Sequence, residues 1–244
     1  MENEKTPTYG NGKICYVEIP ATDIEVSSEF YQKAFGWRIR TRSDGSTAFD
    51  DGIGEVSGSW ILNRKPSTEP GLMLSIMVDN VEETIALLTA TGSKIVNKMQ
   101  IGDDQFIAWF TDPGGNVIGL YQHPGGGHGK ICYLEIPAED IDKSATFYKK
   151  VFGWPLRDEG TEHVAFDDGV GVVSGMWNLE RKPSFEPGLL IYMMMDSVTA
   201  TMDLVIKNGG RIVQPIGMDA PEITARFADP YGNVLGLYQE PAKV

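Results

Sequence analysis

The pattern of apolar and polar residues near the start of the chain predicts a strand followed by a helix. Residues 13–20 are rich in β-forming side chains and bounded by turn residues. Apolar side chains then recur at helical spacing as far as Ala34, and Gly36 is a typical helix end. Thr22 and Glu25 form a capping-box pattern in front of this helix. Three strand-like runs follow, at 37–41, 46–49 and 55–62.

The same order of elements then begins again. Residues 72–78 predict a strand, and Asn80 with Glu83 predicts the cap of a second helix that continues to Thr91 and ends at Gly92. Three more strands are predicted at 94–99, 106–110 and 117–122. The segment therefore contains two βαβββ modules. Because three strands with tight turns follow each helix, the sheets must be mixed rather than purely parallel.

The second half of the chain repeats the first. Residues 12–37 correspond to 129–154, residues 48–60 to 165–177, and residues 112–122 to 229–239, without a net gap. A repeat of this length suits whole domains rather than a solenoid. We predict a loose tail at 1–11, domains at 12–122 and 130–241, and a flexible glycine-rich linker at 123–129. The linker is short, so the two domains should pair within the chain, and further oligomerisation stays open.

The predicted fold class is α+β with two tandem domains. In each domain, two βαβββ modules would form a curved mixed sheet around a cup, with the helices outside. Three motifs mark each copy in the same order. In the first copy they are Tyr16-Val17-Glu18-Ile19-Pro20 with Phe35-Gly36-Trp37, then Val78-Asp79-Asn80-Val81, and finally Asp112-Pro113 with Gly115-Asn116.

These motifs resemble the vicinal-oxygen-chelate superfamily of glyoxalases, bleomycin resistance proteins and extradiol dioxygenases. In its metal-dependent members, the resemblance places ligands in the first, fifth and last strands of a domain. The matching residues in this chain are Tyr16, Met73 and Gly119 in the first copy and Tyr133, Leu190 and Gly236 in the second. Methionine, leucine and glycine offer no oxygen or nitrogen side-chain ligand, so we expect no metal and no other cofactor.

Strand alternation predicts which residues would line the cups. If Tyr16 takes the ligand position, Glu18 shares its face and Val17 does not. The same parity gives an aromatic and apolar lining with hydroxyls and one carboxylate per copy, which is typical of a small-molecule pocket. The predicted lining is Tyr16, Glu18, Met73, Ser75, Met77, Gly119 and Tyr121 in the first copy and Tyr133, Glu135, Leu190, Tyr192, Met194, Gly236 and Tyr238 in the second. Trp60 and Trp177 would add a wall, and packing into a core is the alternative for each aromatic or methionine.

Glu18 and Glu135 are the candidate catalytic residues. An inward carboxylate must be paired or protonated, since burial of a lone charge is costly. It could be held by a structural partner, or it could have a raised pKa and act as a general base. Arg64 and Arg181 lie in Arg-Lys-Pro segments that read as exposed loops, with an anion clamp as the alternative.

Three functions remain open on this basis. The preferred one is a metal-free protein that binds a small aromatic or cationic compound, as the resemblance to the bleomycin-resistance branch implies. The alternative is a glyoxalase-like lyase or isomerase with Glu18 or Glu135 as base and tyrosine hydroxyls stabilising an enolate. The third is an interaction scaffold in which the duplicated domains mainly serve each other.

The net charge and the cysteine content limit the classes of binding partner and the cell compartment that we expect. A formal net charge of −13 disfavours binding to nucleic acids or anionic membranes and favours cationic partners. No run of residues is long and apolar enough to span a bilayer. Cys15 and Cys132 occupy matching strand positions outside any Cys-x-x-Cys motif, and we expect two buried reduced thiols. With no secretory pattern at the N-terminus, a cytoplasmic location is predicted.

Overall fold

The computed structural model describes residues 6–69 and 71–241. The part of the predicted tail at 1–5 therefore lies outside the described residues. The first copy runs β1 (Lys13–Ala21), α1 (Ile24–Phe35), β2 (Arg38–Thr41), β3 (Thr47–Asp50), β4 (Ser57–Leu62), β5 (Met73–Val78), α2 (Val81–Ala90), β6 (Ile95–Gly102), β7 (Gln105–Thr111) and β8 (Val117–Gln122). The second copy runs β9 (Ile131–Pro137), α3 (Ile141–Phe152), β10 (Leu156–Arg157), β11 (Ala165–Asp167), β12 (Ser174–Asn178), β13 (Leu190–Met194), α4 (Val198–Lys207), β14 (Arg211–Gln214), β15 (Ile223–Ala228) and β16 (Val234–Gln239). The α+β class and the doubled βαβββ order are confirmed.

The strands form two mixed eight-stranded sheets. Their orders are β14-β15-β16-β13-β1-β4-β3-β2 and β10-β11-β12-β9-β5-β8-β7-β6. Within each sheet, β5 pairs parallel with β8, or β13 with β16, while the hairpins are antiparallel. The sequence predicted that the two modules of one copy share a sheet. Instead, β1 of the first copy neighbours β13 of the second, and β9 of the second copy neighbours β5 of the first. The sequence could not decide this, since β1 and β9 are nearly identical and fit either neighbour equally well.

The chain divides into two compact units. The first unit contains residues 6–7, 17–68 and 73–133, and the second contains residues 8–16, 69, 71–72 and 134–241. The start of β1 therefore belongs to the second unit and its later residues to the first. The start of β9 belongs to the first unit and its later residues to the second.

Local capping signals fix the helix ends of the first unit. Asp23 caps α1 by accepting a hydrogen bond from the Val26 backbone N–H at 3.0 Å, so the predicted cap at Thr22 is wrong by one residue. Gly36 ends α1 with a φ of 66°, in the left-handed region that glycine adopts without strain. Asn80 caps α2 as predicted, accepting from the backbone N–H groups of Glu82 and Glu83.

An aromatic core lies between α1 and the strands of the first unit. Trp37 stacks on Tyr31 and Phe49, with ring centroids 4.4 and 4.3 Å apart. Trp60 packs into the same core, 5.8 Å from Tyr31 and 4.8 Å from Phe49. The second unit repeats this core with Tyr148, Trp154, Phe166 and Trp177. The expectation that Trp60 and Trp177 line a cup is therefore wrong, because both rings point towards a helix.

The Asp-Pro-x-Gly-Asn motif forms a buried hydrogen-bond network. The Asp112 carboxylate accepts hydrogen bonds from the Tyr31 hydroxyl at 2.8 Å and from the Asn116 backbone and side chain, each also at 2.8 Å. Asn116 in turn donates to the Pro20 carbonyl at 2.7 Å, which ties the hairpin to β1. Burial raises the pKa of Asp112 even though these hydrogen bonds lower it. The second unit repeats this hydrogen-bond network with Tyr148, Asp229, Asn233 and Pro137.

The glycine-rich segment is held against the first unit at its end. Gly129 donates from its backbone N–H to the Met77 carbonyl at 2.8 Å, and its own carbonyl accepts from the Trp37 indole at 2.7 Å. Its φ is 77°, and a Cβ there would lie 2.0 Å from the Phe35 carbonyl oxygen. His128 contacts the Ala34 carbonyl at 3.2 Å. The flexibility predicted from composition therefore does not extend to Gly129.

Candidate functional site

Each strand has one face towards the helices and one away from them, which we call the distal face. On β1, Val17 and Ile19 are fully buried, whereas Tyr16 and Glu18 are half-buried. Tyr16 and Glu18 therefore share the distal face, which is where the strand parity assigned them.

Glu18 of the first unit forms an ion pair with Arg64. One guanidinium nitrogen, Nη2, lies 2.5 Å from the Glu18 carboxylate, and the side chains are only 17% and 13% exposed for Arg64 and Glu18. The other nitrogen, Nη1, is buried without a hydrogen-bond partner among the described residues. Arg64 is therefore not an exposed loop residue, and it offers a structural partner for the glutamate. A charge-assisted pair of this kind is shorter and stronger than a hydrogen bond between neutral groups.

Glu135 of the second unit has a different partner. The Asn178 side-chain amide donates to the Glu135 carboxylate at 2.7 Å, and both residues are half-buried. Arg181, the counterpart of Arg64, instead donates to the Gly71 carbonyl at 2.9 Å and lies 3.5 Å from Glu69. Burial lowers the pKa of Arg181, while the charges of Glu135 and Glu69 raise it. The two glutamates therefore share a position in the repeat but differ in their hydrogen-bond partners.

A second charged cluster in the first unit was missed by sequence reasoning. Asp50 accepts hydrogen bonds from Arg38, Arg40 and Ser57, the shortest being 2.6 Å from Arg40. Burial raises the pKa of Asp50, but these hydrogen bonds outweigh burial and the net pKa is lowered. Asp50 neighbours Phe49, which faces the aromatic core, so the cluster lies on the distal face. The alternation Arg38-Ile39-Arg40 was the available signal, since it puts both arginines on one side of a strand.

The second unit gathers the predicted residues Tyr16, Tyr192 and Tyr238. Tyr192 lies with Leu190, Ala228 and Val234 in a buried cluster against which Tyr16 and Tyr238 pack. The rings of Tyr16 and Tyr192 meet edge to face, 6.0 Å between centroids. The expected lining is corrected here, because Tyr16 was grouped with residues of its own copy. The exchange follows from the position of β1 beside β13.

Tyr192 fills the space that its neighbouring glycine leaves free. Tyr192 and Gly236 are paired across β13 and β16, and a Cβ at Gly236 would lie 2.1 Å from the Tyr192 ring. The Tyr192 hydroxyl accepts a hydrogen bond from Arg226 Nε at 3.0 Å. The hydroxyl of Tyr238 donates to Glu240 at 2.9 Å, and burial, followed by this hydrogen bond, raises the pKa of Tyr238.

The first unit holds the corresponding residues Met73, Ser75, Tyr121 and Tyr133. Ser75 pairs with Gly119 across β5 and β8, and its Oγ lies over the glycine, 2.2 Å from where a Cβ would be. Met73 is buried, while Tyr121 and Tyr133 are half-buried. Burial raises the pKa of Tyr121. The adjacent Cys132 thiol contacts the Ser75 carbonyl at 3.5 Å, as Cys15 contacts that of Tyr192 in the second unit.

The positions to which the family resemblance assigns metal ligands hold other side chains in this chain. Leu190 belongs to an apolar cluster, and the space above Gly236 is taken by the Tyr192 ring. Met73 offers only a thioether, and the space above Gly119 is taken by Ser75 Oγ. Across residues 6–69 and 71–241, no three His, Cys, Asp or Glu side chains come together in a way that could hold an ion. These residues supply no oxygen–nitrogen ligand set.

A groove of about 610 Å³ lies elsewhere in the first unit, between α1 and the β2–β3 hairpin. It is lined in part by Ile24, Ser28, Ile39 and Thr41. Of the residues predicted to line a pocket, only Trp60 contributes to this groove. No helix within the described parts of the chain is both long and apolar enough to cross a membrane.

Comparisons with known proteins agree with this architecture. The family model described as Glyoxalase/Bleomycin resistance protein/Dioxygenase superfamily matches residues 13–120 and again residues 130–237. Glyoxalase I from Zea mays superimposes with a TM-score of 0.73 at 17% identity, covering 93% of this chain and 92% of that one. At this identity the likeness shows the fold alone.

Two sequence relatives carry related names. A glyoxylase-like domain-containing protein of Didymella fabae is 28% identical over 131 residues, covering 48% of this chain and 98% of the relative. The protein CFP32 of Mycobacterium tuberculosis, provisionally named a glyoxylase, is 23% identical over 263 residues, covering 96% of this chain and 97% of its own length. The relatives thus include both one-copy and two-copy lengths.

Proposed function

Because the chain belongs to the glyoxalase/bleomycin resistance protein/dioxygenase superfamily, we propose that it binds a small aromatic or cationic organic molecule on its distal strand faces, without a metal. The main support for this proposal is that the positions assigned to metal ligands in the family hold tyrosine, an aliphatic or thioether side chain, and glycine. Half-buried Tyr16, Tyr121, Tyr133 and Tyr238 accompany them. Apolar rings with a few placed polar groups are the usual composition of a ligand pocket.

Charge supports the cationic part of this proposal. The chain has a formal net charge of −13, which raises the local concentration of cationic compounds. Tyrosine faces also attract cations, by about 0.5–2 kcal/mol according to exposure. Ring stacking on the same side chains accommodates neutral aromatic compounds.

The test is a thermal-shift screen of the full chain against aromatic and cationic metabolites and antibiotics, followed by calorimetry. A ligand at about a hundred times its Kd should stabilise the protein by about 2.7 kcal/mol. Binding should persist after dialysis against EDTA, and elemental analysis should find less than one equivalent of Zn, Ni or Fe. A stoichiometric metal that is required for binding contradicts the proposal, and so does a panel in which no compound stabilises the protein.

A glyoxalase-like lyase or isomerase is the second candidate. The glyoxylase and glyoxalase names of the relatives motivate it, and Glu135 is the better general base on this reading. Its hydrogen-bond donor Asn178 is neutral, whereas the Glu18 carboxylate is held in an ion pair by the Arg64 guanidinium. Glu135→Gln should abolish any turnover while Glu18→Gln, the matched control, leaves most of it. Equal turnover in both variants and the wild type excludes a glutamate base.

A further inference from the structure

Two equivalent rows of side chains cross the distal faces of the two units. In the first unit the row is Ser75, Gly119 and Trp109, paired across β5, β8 and β7. In the second unit the row is Tyr192, Gly236 and Arg226, paired across β13, β16 and β15. The central glycine is common to both rows. The residues on either side of it differ, so the repeat has diverged at this place.

The second unit shows what the space above such a glycine can accept. The Tyr192 ring lies directly over Gly236, and its hydroxyl accepts a hydrogen bond from Arg226 at 3.0 Å. The Tyr16 ring packs against one side of the Tyr192 ring, edge to face. Only 4% of Tyr192 is exposed. A phenol ring is therefore held by a glycine floor, a hydrogen-bond donor beside it and an aromatic edge.

The first unit keeps the central glycine and the neighbouring tyrosine position but has Ser75 in place of the ring. Ser75 ends at Oγ, which sits over Gly119 where the tyrosine ring begins in the other row. Tyr133 takes the repeat position of Tyr16, and the matching 3.5 Å thiol contacts of Cys132 and Cys15 show that the strands have the same register. The half-buried Trp109 stands where Arg226 stands and also offers an N–H donor.

The two polar groups beside this place are available to a ligand. Over the described residues, 6–69 and 71–241, the Ser75 hydroxyl and the Trp109 indole N–H make no hydrogen bond to another residue, and neither atom is fully buried, so both remain accessible. Ser75 is nine-tenths buried. A polar atom of a ligand can take the place of the water that such accessible groups bind.

We propose that the row of Ser75, Gly119 and Trp109 binds a planar, phenol-sized aromatic ring of an external ligand, in the place that Tyr192 fills in the second unit. A polar acceptor on that ring, such as a phenolic or carbonyl oxygen, accepts from Trp109. The inference rests on the proposed binding function and narrows it to a ligand class and to the first unit. It also limits each chain to one such binding place, because Tyr192 occupies the other.

The experiment uses p-cresol, which is the tyrosine side chain itself, as the probe. Calorimetry and saturation-transfer NMR on the full chain should show one equivalent bound. Ser75→Tyr should abolish binding, because the new ring takes the place of the probe, whereas Ser75→Ala keeps the space and should retain it. Tyr192→Ser should open the second row and raise the stoichiometry to two. Far-UV circular dichroism confirms that each variant is folded.

Trp109→Phe keeps the ring but removes the donor, so it should weaken p-cresol binding by about five- to tenfold, the value of one hydrogen bond. This variant keeps the inference testable if Ser75→Tyr does not fold. The inference is overturned if Ser75→Tyr binds p-cresol like the wild type, or if Trp109→Phe leaves binding unchanged. It is also overturned, with the proposed function intact, if the wild type ignores p-cresol but binds another compound that Ser75→Tyr does not affect. Failure of every compound in the panel removes both.

Discussion

Substitution of Gly236 by alanine tests whether the Tyr192 ring lies where the structure has it. The new Cβ would be 2.1 Å from the Tyr192 Cδ1 atom, 2.3 Å from Cε1 and 2.5 Å from Cγ. The backbone of Gly236 is outside the left-handed region, so the side-chain clash is the only penalty. Gly119→Ala is the matched control, since its Cβ would lie 2.2 Å from the movable Ser75 Oγ and 3.0 and 3.3 Å from Ser75 Cβ and Cα.

The size of the effect follows from how freely each neighbour can move. Van der Waals contact needs at least about 3.4 Å, so the Tyr192 ring must shift by more than an ångström. That shift overpacks the buried cluster, at about 1–3 kcal/mol, and breaks the hydrogen bond from Arg226, worth about 1 kcal/mol. Alanine also lowers the conformational entropy of the unfolded chain relative to glycine, which offsets about 0.4–1 kcal/mol of this loss of stability. We expect Gly236→Ala to lower the free energy of unfolding by about 1–3.5 kcal/mol.

Gly119→Ala should have a smaller effect, because Ser75 can turn its hydroxyl to another staggered rotamer and only the contacts of 3.0 and 3.3 Å with Ser75 Cβ and Cα then remain. A rotamer change costs on the order of 0.5–1 kcal/mol, which the lower entropy of the unfolded alanine chain nearly offsets. The measurement is urea-induced unfolding of the full chain, with circular dichroism and tryptophan fluorescence recorded together. Because the protein has two units, each transition is fitted separately if two are seen.

The double variant Tyr192→Ser with Gly236→Ala isolates the cause. If the ring is the obstacle, adding alanine to the Tyr192→Ser background should cost no more than Gly119→Ala costs in the wild type. Equal stability of Gly236→Ala and Gly119→Ala would refute the reasoning. So would an undiminished penalty in the double variant.

Three further predictions concern buried polar groups. Asp168→Ala removes the acceptor, at 2.9 Å, of the fully buried Ile14 N–H; urea unfolding should show a loss of about 1–3 kcal/mol, and an unchanged midpoint would contradict this role. Burial raises the pKa of Asp112 in the folded protein above the value of 3.8 that it has in the unfolded chain. The folded protein therefore binds this proton more tightly. The resulting gain in stability is complete below pH 3.8 and is lost as the pH rises through the pKa of the folded state. The unfolding free energy of the wild type minus that of Asp112→Asn should therefore grow as pH falls from about 7 to about 4, and a flat difference is the contrary result. Burial raises the pKa of the Cys15 and Cys132 thiols to about 12; Ellman's reagent at about pH 8 should react with neither in the native protein and with both in urea, whereas fast native labelling would show an exposed thiolate.

The sequence determined the local structure because its signals act over a few residues. Gly36 and Asn80 end and begin helices as predicted, since their conformational and capping preferences depend only on adjacent backbone groups. The hydrophobic periods and the repeat also predicted the four βαβββ modules. The cap of α1 was misplaced by one residue because Thr22 and Asp23 are both good capping residues, and only the backbone geometry selects Asp23.

Tertiary structure alone decided which of these elements meet. The nearly identical β1 and β9 carry equal pairing preferences, so nothing in their residues could assign Tyr16 to the cluster of Tyr192 rather than to Ser75. The ion pair of Glu18 with Arg64 likewise joins residues far apart in the chain. Local pattern fixes the conformation and the buried face of each element. Choice among equivalent partners is a long-range contest between almost equal energies, which folding of the whole chain settles.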